Sequence, residues 1–257
     1  MAEHRAQNRW VQREAAGGHG GGLEMPSFPN LEVAYLTDPD ALAAVLPPPL
    51  TPPDEPRVHA RITEIHIERD DFTYHEMIGY FAVDAKHEGE PGEYPLLIPI
   101  DLERAVSISR ERFGEPKKLA EIELTREGDH AEGRITRQGV TFIEIVGDVA
   151  ERLPTPAPTP ARQWWFKFLP AVSGIGFDAG PLLVQVDQVR TPESVERVDG
   201  KLVLRELASD PVVDLPVLET ESILWSVRKS THEPRVVGPV DADAFLPYSY
   251  SRYDGVR

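Results

Sequence analysis

The chain has 257 residues, a formal net charge of −16 and no cysteine. This length supports one large domain with a substantial core, and the acidic surface disfavours nucleic acid as a partner. The lack of cysteine excludes disulfides, thiolate metal ligands and a cysteine nucleophile. No apolar run reaches the roughly 20 residues of a membrane-spanning helix, and the first residues lack the apolar segment of a signal peptide. We therefore expect a cytoplasmic protein that neither binds nucleic acid nor enters a membrane.

The N-terminal part of the chain divides into a polar tail and a short helix. Residues 1–24 include "GGHGGG", whose glycines are costly to order, so we expect a mobile tail followed by a single domain over residues 25–257. Asp38 and Pro39 have the residue types of a helix N-cap and first position. The prolines from Pro47 onward end that helix and form a stiff connection.

From residue 57 the sequence favours strands. Val58, Ala60 and Ile62 alternate with polar residues, and Ile65 continues one residue out of phase, which predicts a β-bulge. Later segments show strand composition too: "DFTYHEMIGYFAV", "LAEIELTRE", "VTFIEIVGDV", "PLLVQVDQVR" and "SILWSVRKS". So many strands with few helices indicate a β-rich α+β fold whose sheet closes or packs on itself.

One clear helix interrupts the strands, over "DLERAVSISRERFG" at residues 101–114. Asp101 is a candidate N-cap and Gly114 a candidate left-handed end, after which Pro116 prevents continuation. Two adjacent lysines, Lys117 and Lys118, therefore lie just beyond a helix C-terminus, at the start of a strand. The expected apolar stripe of the helix consists of Leu102, Ala105, Ile108 and Phe113.

A lysine at this position becomes a nucleophile only as the neutral amine, whereas an unperturbed lysine, with a pKa of about 10.4, is almost fully charged at pH 7. Burial in an apolar cavity and a neighbouring cation would both favour the neutral form, and the helix C-terminus would oppose it. Adjacent strand residues point to opposite faces. We therefore expect burial to contribute more to activation of Lys117 than the charge of Lys118.

A carboxylate lies within the segment "FTYHEMIGY". If Phe72, Tyr74, Glu76, Ile78 and Tyr80 face the interior, Glu76 is buried with four apolar or aromatic side chains, as at many working sites. In the alternative, the opposite face is the buried one, comprising His75, Met77, Phe81 and Val83, and Glu76 is solvated. Both orientations remain open at this point.

The stretch "FGEPKKLAEIEL" resembles the signature of the acetoacetate decarboxylase family, in which the lysine directly after proline forms a Schiff base. Three other segments look like landmarks of the same family, and together they extend the resemblance over most of residues 30–230: "AYLTDPDALAAVLPPPL", "QWWFKFLPAVSG" and "LASDPVVDLPVLE". The resemblance implies a closed cone-like antiparallel β-barrel with a few peripheral helices, assembled into homo-oligomers. It implies no metal and no organic cofactor.

Carried over by position, the resemblance makes Lys117 the Schiff-base nucleophile, Lys118 the neighbour that tunes it, and Glu76 a cavity-lining glutamate. Two positions depart from the family. Phe28 falls near the place of an arginine thought to assist with the substrate carboxylate, and Arg61 falls where a second glutamate is expected. Arg61 would either restore the positive charge from another wall or face solvent.

These residues lead to three functional hypotheses. The first is a lyase that decarboxylates a β-keto acid through an imine on Lys117, with substrate contacts assigned to Phe28, Arg61, Tyr74 and Glu115. The second is a pyruvate aldolase-dehydratase that uses the same imine. The third is a binding barrel without turnover, in which the tryptophans of "QWWFKF" line a pocket, although one core tryptophan and one at a subunit contact are the simpler arrangement.

The C-terminal segment "LPYSYSRYDG" contains three tyrosines, Tyr248, Tyr250 and Tyr253. They would either close over the cavity and serve as acid or base in the aldolase hypothesis, or belong to a docked terminal segment, which we favour.

Overall fold

The structure is a computed structural model that describes residues 23–69 and 72–254. The predicted tail falls mostly outside these residues and stays a prediction. The strands are β1 (Leu23–Leu36), β2 (Arg57–Arg69), β3 (Phe72–His87), β4 (Glu90–Ile100), β5 (Lys117–Leu119), β6 (Glu121–Glu127), β7 (His130–Arg137), β8 (Val140–Leu153), β9 (Thr159–Pro170), β10 (Phe177–Leu204) and β11 (Glu219–Pro239). The α-helices are α1 (Pro39–Ala44), α2 (Glu103–Arg112) and α3 (Ala242–Ser249).

Seven strands form a ring in the order β11-β1-β2-β3-β4-β9-β10, because β10 also pairs with β11. The seam between β4 and β9 is a parallel pairing of Glu93 with Gln163, and the other neighbours in the ring are antiparallel. Strands β8, β7 and β6 continue from β10 and bring Ile135 and Ile143 into one core with Ile62 of the ring. The predicted β-rich, cone-like sheet with few peripheral helices is confirmed.

The strands of the ring are covered on both sides, which corrects one prediction. Val58, Ala60 and Ile62 of β2 belong to the main core, whereas Arg61 and Ile65 line an internal cavity. The β2–β3 register runs without a shift from Val58↔Val83 to Arg69↔Phe72. The predicted β-bulge is therefore wrong: the apolar phase changes because each side of the strand is buried along a different part of its length.

The two predicted helix starts have different outcomes. The Asp38 carboxylate caps α1 by accepting from the backbone N–H groups of Asp40 and Ala41, both at 2.9 Å, as predicted. Asp101 does not cap α2, since its carboxylate accepts from the Met77 N–H at 2.8 Å and the N-cap is Leu102. Asp101 therefore ties the chain before α2 to β3.

The predicted apolar stripe of α2 is only partly correct. Ala105 is buried, whereas Ile108 is 58% exposed, and the other buried residue of the helix is Ser109. With 10 residues, α2 is far shorter than a bilayer-spanning helix, and no helix among the described residues is long and apolar enough to cross a membrane.

Gly114 ends α2 in the left-handed conformation predicted for it, with φ of 85°. A Cβ atom at this position would lie 2.4 Å from the carbonyl oxygen of Phe166, so no other residue fits against β9. This close approach fixes the segment leading to Lys117, whose strand β5 pairs with β4 through Ile98↔Lys117.

Candidate active site

The ring encloses a cavity of about 170 Å³. Side chains from β1, β2, β3, β4, β5, β9, β10 and β11 reach it, since alternate residues of each strand point inward. One part of the wall is apolar, formed by Met25, Phe28, Ile65, Ile78, Ile98 and Trp165, and the remainder is polar or charged. The cavity is smaller than the roughly 300–1,000 Å³ of drug-sized ligand pockets, so it suits a small molecule.

Lys117 is the lysine of this cavity. The residue is 8% exposed, and its Nζ lies 3.0 Å from the Oε2 atom of Glu115, which also lines the cavity. That carboxylate oxygen has no partner of hydrogen-bond geometry among the described residues. The contact is therefore an ion pair of two groups that line the cavity.

Lys118 lies in different surroundings. Its Nζ donates to Asp210 Oδ1 at 2.8 Å and to the carbonyl of Ser209 at 2.9 Å, and it lies 3.3 Å from Asp254. Arg137 binds the second oxygen of Asp210 at 2.9 Å and also pairs with Asp254. We call Lys118, Arg137, Asp210 and Asp254 the anchor cluster. It balances the Lys118 charge with carboxylates that do not line the Lys117 cavity.

The C-terminal segment holds the segment ahead of Lys117. Arg252 donates to the carbonyls of Gly114 at 2.8 Å and Phe166 at 2.9 Å, while Asp254 joins the anchor cluster. The three C-terminal tyrosines line a separate cavity of about 900 Å³, away from Lys117. A docked terminal segment therefore describes this region better than a closure of tyrosines over the active cavity.

Glu76 points into the Lys117 cavity and is 4% exposed. Met77, Phe81 and Val83, the other face of β3, are buried as well, because β3 is covered on both sides. His75 of that face is exposed instead and contacts Glu64 at 2.9 Å. The side chain of Tyr74 lies outside the described residues, so its substrate contact stays a prediction.

Arg61 faces the cavity, and its charge is already paired. Its Nε and one terminal nitrogen donate to the two oxygens of Glu32 at 2.8 and 2.7 Å, and it lies 3.6 Å from Glu93. Burial alone would raise the pKa of Glu32, but the charge and hydrogen bonds of Arg61 hold it well below its ordinary value. Arg61 therefore forms a structural ion pair in the cavity wall.

Arg190 also lies at the cavity, although it was not predicted from the sequence as a site residue. This residue of β10 donates to the two oxygens of Glu93 at 2.8 and 3.0 Å, and the Tyr80 hydroxyl also donates to Glu93 at 2.8 Å. Although burial opposes it, the charges of Arg190 and Arg61 hold the pKa of Glu93 far below its ordinary value. Glu93 is therefore an ionised carboxylate whose two oxygens already accept hydrogen bonds from Arg190 and Tyr80.

Three further residues that were not predicted from the sequence alternate along β11 and line the cavity: Arg228, Ser230 and His232. The Nε of Arg228 has no hydrogen-bond partner among the described residues, and its terminal nitrogen lies 3.7 Å from Glu32. His232 contacts the Ser230 hydroxyl at 2.9 Å. Burial, then the charges of Arg190 and Arg228, lower the pKa of His232 to about 4, so its imidazole is neutral near pH 7.

Period-two alternation along "SILWSVRKS" is the signal that would have placed position 228 on one face with 230. It could not show which face is internal.

The expectation that one tryptophan of "QWWFKF" is in the core and the other at a subunit contact is correct for one of them. Trp164 is in the core, but Trp165 lines the cavity, so both are buried within the chain.

The sequence profile of the family described as acetoacetate decarboxylase (ADC) matches residues 23–238. The chain belongs to the acetoacetate decarboxylase family. An acetoacetate decarboxylase of Burkholderia cenocepacia (strain HI2424) is 28% identical over 217 residues, which cover 77% of this chain and 84% of the relative. The match spans β1 through most of β11, and so contains every strand that contributes to the cavity.

Solved structures of other proteins share the fold. The crystal structure of acetoacetate decarboxylase from Legionella pneumophila has a TM-score of 0.74 and 21% identity, covering 86% of this chain and 88% of its own. The enduracididine biosynthesis enzyme MppR, complexed with the condensation product of pyruvate and imidazole 4-carboxaldehyde, has a TM-score of 0.69 and 18% identity, with 84% and 91% covered. At these identities the likeness establishes the cone-like fold alone.

Proposed function

We propose that the protein is a Schiff-base-forming lyase that decarboxylates a small β-keto acid. The observation that carries this proposal is the Lys117 amine, which opens into a small internal cavity 3.0 Å from the Glu115 carboxylate. A buried amine with an adjacent carboxylate has the composition needed for reversible attack on a ketone. Membership in the acetoacetate decarboxylase family supports the same chemistry.

The first half of the reaction forms the imine. Glu115 accepts a proton from the ammonium of Lys117, and the neutral nitrogen attacks the ketone carbon to give a carbinolamine. Proton return to the carbinolamine hydroxyl releases water and leaves a protonated imine. Glu115 is positioned for these proton transfers by its ion pair, and Glu76 is a second carboxyl group that faces the same cavity.

The second half breaks the carbon–carbon bond. The bond between the carboxylate and the neighbouring carbon cleaves, carbon dioxide leaves, and the electron pair moves to the imine nitrogen to give an enamine. A proton delivered to the enamine carbon restores the imine, which water hydrolyses to the ketone and free Lys117. Glu76 faces the cavity, and we assign the carbon protonation to its carboxyl group, which takes up a proton from water before this step; the neutral imidazole of His232 has no acidic proton to donate near pH 7.

The walls of the cavity set the size and charge of the substrate. A volume of about 170 Å³ admits a compact keto acid and excludes long acyl chains. Arg61 and Arg190 are paired with Glu32 and Glu93, but Arg228 lines the cavity with an incompletely paired charge, which favours an anion over a neutral ketone.

The second candidate is the aldolase-dehydratase, which uses the same imine with pyruvate. The likeness to MppR bound to a pyruvate condensation product supports it. Phe28 in the cavity wall supports it too, because it stands near the position where a decarboxylase of this family is expected to have an arginine. In this reaction the enamine attacks an aldehyde carbon, and Glu76, Glu115 or His232 moves the protons. The small cavity favours decarboxylation, because two reactants must otherwise fit together.

Carbon-13 NMR of the products distinguishes these candidates. With labelled acetoacetate, the decarboxylase proposal predicts labelled bicarbonate and acetone in equal amounts. A condensation product from pyruvate and an aldehyde, without bicarbonate from acetoacetate, would establish the aldolase instead. Folded protein that turns over neither mixture nor other small β-keto acids would contradict both and favour the binding hypothesis.

A further inference from the structure

One arginine of the cavity is largely buried, and its charge is incompletely paired. The Arg228 side chain is 13% exposed, its Nε has no hydrogen-bond partner among the described residues, and the carboxylate oxygen beside it lies 3.7 Å away. A largely buried cation without hydrogen-bonded anions is costly, so an anion that bound beside it would lower that cost.

The other two arginines of the cavity do not share this property. Arg61 forms two hydrogen bonds with Glu32, and Arg190 forms two with Glu93. The same Glu32 oxygen that lies near Arg228 is already bound by Arg61 at 2.8 Å. Arg228 is therefore the arginine that has donors available for an anion entering the cavity.

The position of Arg228 in the ring accounts for this availability. It is the register partner of Phe28 across the β1–β11 pair, and the Phe28 ring lies 6.0 Å from its guanidinium carbon. Phe28 offers no acceptor, so β1 covers the guanidinium with an apolar side chain. Burial and the charge of Arg61 lower the pKa of Arg228 to about 9, which leaves it a cation at pH 7.

We propose that Arg228 binds the carboxylate of the keto-acid substrate and thereby selects acids over neutral ketones of the same size. This assignment rests on the proposed function, since it names the group that the lyase would hold while Lys117 attacks the ketone. Arg228, and not Arg61, would then bind the substrate carboxylate. Phe28 occupies the position of the expected arginine on β1, and Arg228 provides the positive charge from the neighbouring strand β11. Ser230, next along β11 on the same face, lines the cavity beside it.

The experiment is an NMR titration with two unreactive probes: butyrate, which carries a carboxylate and no ketone, and 2-butanol, which carries neither. Binding of butyrate requires no imine, so this test is independent of whether Lys117 turns over. We expect Arg228→Gln to weaken butyrate binding about 10- to 100-fold, the range for hydrogen bonds to a charged group, and to leave 2-butanol unchanged. Arg228→Lys, which keeps the charge and loses the fork of donors, should show an intermediate loss.

Arg235→Gln is the matched control, because Arg235 lies on the same strand, is 59% exposed and does not line the cavity. It should bind butyrate as the parent protein does. Equal butyrate affinity in the parent, Arg228→Gln and Arg228→Lys proteins would overturn the assignment, even if the imine chemistry of Lys117 were established. Conversely, a loss of butyrate binding together with an inactive Lys117 would keep the carboxylate site and reject the lyase.

Discussion

Two adjacent lysines in this chain are both buried beside carboxylates, but they differ in the number of their partners and in the space around them. Lys117 contacts one carboxylate, Glu115, and faces an internal cavity. Lys118 contacts Asp210, the Ser209 carbonyl and Asp254 on the other side of the strand. Because consecutive strand residues point to opposite faces, one segment supplies both a group with space for a reactant and a group that fixes the backbone.

The comparison shows how a buried amine can be kept in place while remaining available. The anchor cluster and Arg252 hold the residues on either side of Lys117, so Lys117 itself needs few bonds. A fully bonded lysine such as Lys118 would have to break its ion pairs before it could attack a ketone. Lys118 therefore fixes the backbone, while its neighbour Lys117 remains available to react.

The largest expected effect is the loss of the reactive amine. Lys117→Met should abolish imine formation and lower turnover roughly 10⁴-fold or more, as removal of a nucleophile does elsewhere. Steady-state kinetics with the best keto acid measures this effect. Lys229→Met, on the exposed part of β11, is the control and should retain activity. Substantial turnover by Lys117→Met would show that another group carries the chemistry.

The second prediction concerns the anchor cluster. Lys118→Met removes the hydrogen bond to the buried Asp210 but leaves Arg137 as its cation, so the expected cost is that of a lost hydrogen bond to a charged group, about 1.5–3 kcal/mol. Chemical denaturation should show a loss of that size, while native Lys118→Met still forms the imine on Lys117. A variant of the exposed Lys201 to Met should be nearly neutral. If stability were unchanged and imine formation were lost, Lys118 would have a role in the chemistry and not in the structure.

A third prediction tests the contact between the C-terminal segment and the segment ahead of Lys117. Arg252→Met removes the donor of two hydrogen bonds, to the Gly114 and Phe166 carbonyls. The segment before Lys117 is then held less firmly against β9. We expect kcat to fall about 10-fold with KM changed less, because misplacement affects the reacting geometry more than binding. The exposed Arg152, changed to Met, is the control. A proportional rise of KM with constant kcat would argue against a positioning role.

The smallest effect is a pH dependence of stability from His232. Its folded pKa of about 4 lies below its ordinary value of 6.5, so the folded state binds fewer protons between these pH values. This contribution to stability is complete above about pH 6.5 and is lost as the pH falls towards 4. We expect a screened loss of about 1–2 kcal/mol between pH 7 and 4.5 in urea titrations. His232→Gln should reduce the slope of unfolding free energy against pH. An unchanged slope would show that His232 does not cause this pH dependence.

Local sequence signals predicted the elements that depend on local chemistry. Asp38 with Pro39 started a helix, and Gly114 ended one, because caps and left-handed ends are properties of a few neighbouring residues. The placement of Lys117 and Lys118 on opposite faces likewise followed from strand geometry. The strand β4, rich in proline, and the strands β1, β7 and β9 were not assigned in advance as strands.

The features that failed depend on pairing between distant segments. Phe28 and Arg228 are 200 positions apart and meet only because β1 pairs with β11. The false β-bulge in β2 and the false cap at Asp101 arose for the same reason, since the surroundings of each come from other strands. Family resemblance placed Lys117 and Glu76, whereas the position of Arg228 in the cavity wall required the assembled ring.

The most direct test of the division between the two lysines is borohydride trapping with acetoacetate and pyruvate in separate samples, followed by peptide mass spectrometry. We expect a reduced adduct on Lys117 and none on Lys118 with the keto acid that supports turnover. An adduct on Lys118, or folded protein that forms no adduct with these or larger keto acids, would show that Lys117 is not the reactive amine.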